Sequence, residues 1–286
     1  EISNSDSMYQ EYNAMDHGWH HYWLRARNSY GFSDPSFLDS VFVDNDGPLY
    51  FRGVFETPDQ VSRMDIEDDY LYVAQGSNLK IFDLNYPLAP APISSYNAGS
   101  MINDLSIENG YAFLATDANG LVAVNIIDRH NPSNAGSYFP TTGFDAVVAK
   151  NNDAYVGNVG DGLHTVDISN PSMMNQYMVY NGVTSIYDIE VNPTGDSIFA
   201  YLAIGTGGLH VVNVTNPNNV YFKAEYQISS GFTNSIDYSG GYAYLANGTA
   251  GMQIVNCNAW SMTDMGSIAT TDAAGICYFN NHAFVA

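Results

Sequence analysis

The sequence is short of positive charge: 8 Lys and Arg stand against 30 Asp and Glu in 286 residues, a formal net charge of -22. Such a surface repels nucleic-acid phosphates and anionic membrane faces, which argues against both as partners. Cysteine is nearly absent as well. Cys257 and Cys277 are the only two, too few for a disulfide framework and without the paired spacing of zinc or haem sites. No apolar run approaches the roughly 18 residues of a membrane span, so no membrane insertion is expected in this segment. The chain opens at Glu1 without a charged-then-apolar leader, and a removed signal peptide or a missing start is expected. No GxSxG elbow, HExxH helix or phosphate loop occurs.

What is present is tyrosine. With 22 Tyr and 14 Phe but only 13% charged residues, the composition is that of a polar, weakly charged β protein working outside the cell or on its surface.

One pattern recurs along the chain: a Tyr-rich apolar strand, a turn with glycine, then an apolar strand ending in Asp or Asn. The copies read YLYVAQGSNLKIFD, YAFLATDANGLVAVN, AYVGNVGDGLHTVD, FAYLAIGTGGLHVVN and YAYLANGTAGMQIVN, ending at Asp83, Asn125, Asp167, Asn213 and Asn256. A sixth begins at His282. Each pair is a hairpin by its own chemistry, because Gly120, Gly162, Gly208 or Gly251 supplies the backbone freedom the turn needs. Corners with Pro87, Pro132, Pro171 and Pro217 follow, where proline has no N–H to continue pairing. Two further short strands complete each unit, the last of the DLSIENG type. Alternation by two in every unit, and no ten-residue stretch at helical spacing, excludes a helical solenoid. Four strands per forty-odd residues is the signature of propeller blades. The insertion Asn192 to Ser197 reads as a lengthened hairpin loop. The terminal Asp or Asn recurs in every unit, which points to a structural hydrogen bond and not to chemistry.

GLHVVNVTNP, GLHTVDISNP and GLVAVNIIDRHNP resemble the LVIVD repeat, a propeller-forming family of bacterial and archaeal proteins, many of them secreted or displayed at the cell surface. The resemblance runs from about residue 49 to the end and carries no catalytic signature. HHYWLRARNSYGFSDPS, through Leu24, Arg25, Ala26, Asn28, Gly31, Ser33 and Pro35, resembles the last two strands of a fibronectin type III domain, commonly a spacer in exported proteins. The expected organisation is all-β: residues 1–44 as the end of such a β-sandwich, 45–48 as linker, and 49–286 as a propeller of four-stranded blades. Six blades are expected, the last closed by the N-terminal strand Leu49 to Glu56. One strand would still be wanting after Ala286, so the propeller is expected to be truncated there, with a larger ring as the alternative.

Candidate sites follow from this layout. Asp104, Asp145 and Asp188 fall at the start of the innermost strand in three successive blades, so they could converge at the channel mouth and hold a cation such as Ca²⁺. The alternative is that each carboxylate caps backbone N–H groups. Arg63, Ser235 and Gly275 take the equivalent places elsewhere. Asp44 to Gly47 looks like a calcium loop but lacks the downstream Glu, and reads as a turn. His164 and His210 share one repeat position; zinc would need them within bonding range, and adjacent blades hold them too far apart. Strand spacing argues against a Cys257–Cys277 bridge. Asn213 and Asn247 satisfy the N-x-T sequon, and Asn247, in a hairpin turn, is the expected glycosylation candidate.

The function expected is that of an extracellular or cell-surface structural or binding module without catalysis, for adhesion or scaffolding. Its partners would be proteins or polysaccharides of the envelope or extracellular matrix, or other copies of itself, and no resident cofactor is implied. A self-assembling filament or surface-layer subunit is the first alternative, and a propeller enzyme acting on polysaccharide at the channel mouth the second.

Overall fold

The computed structural model describes residues 27–28, 31–32, 61–85, 92–140, 142–258, 260–279 and 282–286. At the front, β1 (Arg27–Asn28) pairs antiparallel with β2 (Gly31–Phe32). The rest of residues 1–44, expected as the end of a β-sandwich, and the linker, turn and strand expected at 45–48, 44–47 and 49–56 lie outside the described residues.

Five four-stranded antiparallel sheets follow, every strand bonded to its neighbour in sequence. The first holds β3 (Val61–Glu67), β4 (Tyr70–Gln75), β5 (Asn78–Asp83) and β6 (Pro92–Asn97), and the second β7 (Ile102–Glu108), β8 (Tyr111–Thr116), β9 (Gly120–Asn125) and β10 (Ser133–Tyr138). The third holds β11 (Ala146–Lys150), β12 (Asp153–Asn158), β13 (Gly162–Asp167) and β14 (Asn175–Tyr180); the fourth, β15 (Asp188–Thr194), β16 (Ser197–Ala203), β17 (Leu209–Asn213) and β18 (Tyr221–Tyr226). The fifth holds β19 (Ser235–Ser239), β20 (Tyr242–Ala246), β21 (Met252–Asn256) and β22 (Thr263–Ile268), and a two-stranded sheet pairs β23 (Ile276–Phe279) with β24 (His282–Val285).

First strands touch first strands: β3 packs on β7, β7 on β11, β11 on β15, β15 on β19 and β19 on β23. They are therefore innermost around one axis, and the largely exposed β6, β10, β14, β18 and β22 form the outside. The second and third strands between them are almost wholly buried, which is why their apolar runs are nearly continuous. Separate apolar layers fill the gaps between sheets. Tyr72, Leu79 and Ile81 meet Leu105, Leu114 and Val122 between the first two; Phe113 and Leu121 meet Phe144, Val156 and Val166 between the next.

Two local devices repeat with the sheets. The glycine opening the third strand has a positive φ each time, 67° at Gly120, 81° at Gly162, 81° at Gly208 and 82° at Gly251. A Cβ there would lie 2.2 to 2.4 Å from the last carbonyl oxygen of the outer strand, that of Tyr138, Tyr180, Tyr226 or Ile268. Glycine is thus demanded twice, by conformation and by close approach. At the other end of that strand, Asp83, Asn125, Asp167, Asn213 and Asn256 each accept the backbone N–H two residues on, from Asn85, Ile127, Ser169, Thr215 and Asn258. This Asx turn is the structural bond expected from its recurrence.

The segment at 192–197 departs from expectation. Thr194 pairs directly with Ser197, so the insertion adds residues to both β15 and β16 and leaves only Gly195 and Asp196 in the turn. Adding one residue to each strand at a time preserves the alternation, and Gly195 takes the positive φ of 63° that a two-residue turn requires.

Candidate functional site

The inner strands surround a cavity of about 240 Å³, lined by Arg63, Asp65, Asp104, Ser106, Asp188, Glu190, Asp237 and Cys277 among others. That is below the roughly 300–1,000 Å³ of ordinary ligand pockets. Register explains the lining. Arg63, Asp104, Ala146, Asp188 and Ser235 all stand opposite a small residue at or next to the end of the second strand, Ala74, Ala115, Gly157, Ala203 and Ala246. Two residues deeper come Asp65, Ser106, Val148, Glu190 and Asp237, opposite an aromatic.

Arg63 spans the channel just inside its mouth. Its Nε donates to Asp104 at 2.6 Å and its Nη2 to Asp188 at 2.5 Å, joining the first sheet to the second and the fourth. The two carboxylates are also committed to backbone. Asp104 accepts the N–H of Leu105 and, across to the next sheet, of Val147; Asp188 accepts those of Ile189 and Ile236 and the Ser235 hydroxyl. Asp65 accepts from Ile107, Ser106 from Ala149 and Asp237 from Tyr278 in the same way. An innermost strand has no further strand to receive its outward N–H groups, and a buried unpaired N–H costs about 1–3 kcal/mol. The side chain of the preceding blade supplies the acceptor.

The expected trio is therefore split. Asp104 and Asp188 meet through Arg63, but Asp145 lies one residue before the channel-facing register position, which Ala146 holds. Its carboxylate accepts the Val159 N–H in the turn above, and burial pushes its carboxyl up, with Asp117 adding to the shift. Among the described residues no three His, Cys, Asp or Glu side chains converge as metal ligands. The Ca²⁺ expectation at this trio does not fit the donor set, because the oxygens already serve N–H groups and a guanidinium.

Sequence reading missed Arg63's role and the deeper set Asp65, Glu190 and Asp237. Burial, with the neighbouring Asp237 and Asp188 charges, pushes the Glu190 carboxyl up to about 8, against the pull of Lys150 and a bond from Asn192. Burial likewise pushes Asp237 up, opposed by the N–H groups of Tyr278 and Tyr238. The available signal was position: every second residue of the inner strand faces the axis.

His164 and His210 are buried but serve separate sheets. Each bonds a tyrosine hydroxyl from the preceding sheet, Tyr138 at 3.1 Å and Tyr180 at 3.0 Å, and burial holds both imidazoles below the usual range. Gln253 donates to Tyr226 from the same position in the fifth sheet. Asn247 overturns the glycosylation expectation. It is 2% exposed, with its amide nitrogen donating to Gln253 and its oxygen accepting from Thr233; a turn residue here braces the hairpin from inside. Asn213 is buried as well. Cys257 is a buried free thiol.

The mouth end carries the exposed apolar side chains Met101, Phe139 and Val159, at 50%, 52% and 56% exposure. Asp117, Asp145 and Asp161 stand in loops at the same end, and among the described residues none of the three forms an ion pair with Lys or Arg. At the opposite end Arg129 pairs with Glu67 and Asp68.

Comparison with known proteins returns the fold. A chain of the mitotic checkpoint complex superposes with a TM-score of 0.65 at 12% identity, over 81% of this chain and 75% of that one. The computationally designed protein Ika8 gives 0.61 at 8%, over 79% and 67%. The β-propeller domain of Cps50 (Swd1) from Myceliophteria thermophila gives 0.53 at 13%, over 68% and 65%. No curated protein matches the sequence. The LVIVD repeat matches five segments, 60–98, 99–139, 145–182, 196–228 and 230–270, together about two thirds of the chain. With these segments coinciding with successive four-stranded sheets around one axis, the chain is a repeat β-propeller and belongs to the LVIVD repeat family.

Proposed function

We propose that the chain is a structural or binding module displayed outside the cell, which holds a protein or glycan on the mouth end of its propeller. The observation that carries this reading is the division of labour between channel and rim. Channel carboxylates are spent on joining sheets, through Arg63 and the N–H groups of the next inner strand. The rim, by contrast, presents Met101, Phe139 and Val159 to solvent, on loops held by bonds such as Val159 N–H to Asp145. Exposed apolar groups on a rigid scaffold are how binding surfaces are built. The tyrosine-rich, acidic composition supports an extracellular setting. Six blades, closure of the sixth by residues 49–56 and a sandwich-like spacer at 1–44 complete the proposed organisation.

The test is a panel of envelope glycans and extracellular proteins screened against the chain and a Met101→Ser, Phe139→Ser, Val159→Ser variant. Binding lost in the variant supports the reading; ligands that bind both alike, or turnover of a polysaccharide, end it. A second reading, assembly of copies, is favoured by β22, whose six residues are all exposed, Met265 at 54% and Ile268 at 62%. Concentration-dependent mass in light scattering, abolished by Ile268→Lys, distinguishes it.

A further inference from the structure

Resting on the mouth end being the working face, we propose that its rim over the second and third sheets docks a basic protein segment carrying apolar side chains. Met101, Phe139 and Val159 form the apolar part. Asp145 shares the β10–β11 loop with Phe139, Asp161 shares the β12–β13 turn with Val159, and Asp117 stands in the β8–β9 turn at the same end. The pieces are tied into one surface: Asp117 N–H donates to the Met101 carbonyl, Phe139 lies against Gly120, Val159 N–H donates to Asp145, and Val159 forms a bridge with Ser185 of the loop leading into the fourth sheet.

Charge complementarity selects the partner. Asp117 sits close enough to Asp145 to push it upward, and among the described residues the ion-pairing group beside Asp161 is the His164 imidazole, which burial disfavours as a cation. A Lys or Arg from outside relieves that repulsion, whereas an acidic or phosphate-bearing partner adds to it. The apolar side chains give such a partner area to desolvate, which charge alone does not. A neutral glycan would donate hydroxyl hydrogen bonds to these carboxylates but leave their like charges unrelieved.

The whole chain is titrated with a synthetic peptide alternating Lys and Leu, and with one alternating Glu and Leu, followed by fluorescence anisotropy and by hydrogen exchange. Expected are binding of the Lys peptide alone, weaker at higher salt, and protection confined to residues 99–101, 117–120, 139–145 and 159–161. Asp117→Asn with Asp161→Asn weakens it about tenfold, and Phe139→Ser by a similar factor. Asp68→Asn with Asp196→Asn removes as much charge from the opposite end and leaves affinity unchanged. Equal weakening by both charge pairs, or protection away from these loops, overturns the proposal in favour of plain attraction to an acidic protein. No binding of the Lys peptide overturns it too, and the mouth-end reading then stands or falls separately on the glycan and protein panel.

Discussion

At position 164 of the third sheet a histidine does what a glutamine does at 253 in the fifth: each bonds the tyrosine hydroxyl of the preceding sheet. The difference between them is a proton. Burial lowers the folded pKa of His164 and His210 below the unfolded value, so the native state binds fewer protons than the unfolded chain. Stability is whole above about 6.5 and falls as the pH drops below it. His164→Gln keeps the bond and removes the titration. Chemical denaturation should show it level with the parent at pH 8 and about 1 kcal/mol more stable at pH 5. Glu190 runs the other way. Its folded pKa is raised to about 8, so the native state holds a proton the unfolded chain gives up, and stability falls as pH rises from the unfolded value, about 4.3, through 8. Glu190→Gln should gain about 1 kcal/mol at pH 8, allowing for solvent in the channel, and nothing at pH 4. A pH profile parallel to the parent's would refute either assignment.

At the scale of the element, each hairpin depends on one glycine and one Asx turn. Gly162→Ala places a Cβ against the Tyr180 carbonyl at a φ of 81°, and should cost about 2–3 kcal/mol in thermal or denaturant unfolding. Asn213→Ala frees the Thr215 N–H and should cost about 1 kcal/mol; a neutral result would mean water replaces the side chain. Both residues were legible because a turn's demands are local: glycine for positive φ, and Asp or Asn to accept the N–H two residues on. The length of the β15 and β16 hairpin was not. Asn192 to Ser197 contains Pro, Gly and Asp, so it reads as loop, yet a strand residue opposite another strand residue pairs whatever its propensity. Asn247 failed as an exposed residue for a like reason, since a turn residue can point inward.

Across the molecule, Arg63 holds Asp104 and Asp188 from two other sheets. Arg63→Met leaves two buried carboxylates without their cation and should cost about 3 kcal/mol. Part of the loss should return on acidification, because a proton then does what the guanidinium did. A variant that unfolds like the parent at neutral pH would show the brace to be incidental.

Periodicity alone determined the repeating four-stranded units, the turn glycines and the strand-end Asx residues, because each follows from alternation by two and from bonds within a few residues. Only the tertiary structure decided which side chains share the axis. A one-residue offset puts Ala146 in place of Asp145 on the channel wall, and a cation from the first sheet neutralises carboxylates from the second and fourth. Those are consequences of six strand edges meeting at one line, and no pattern along the chain encodes the distance between residues 63 and 188.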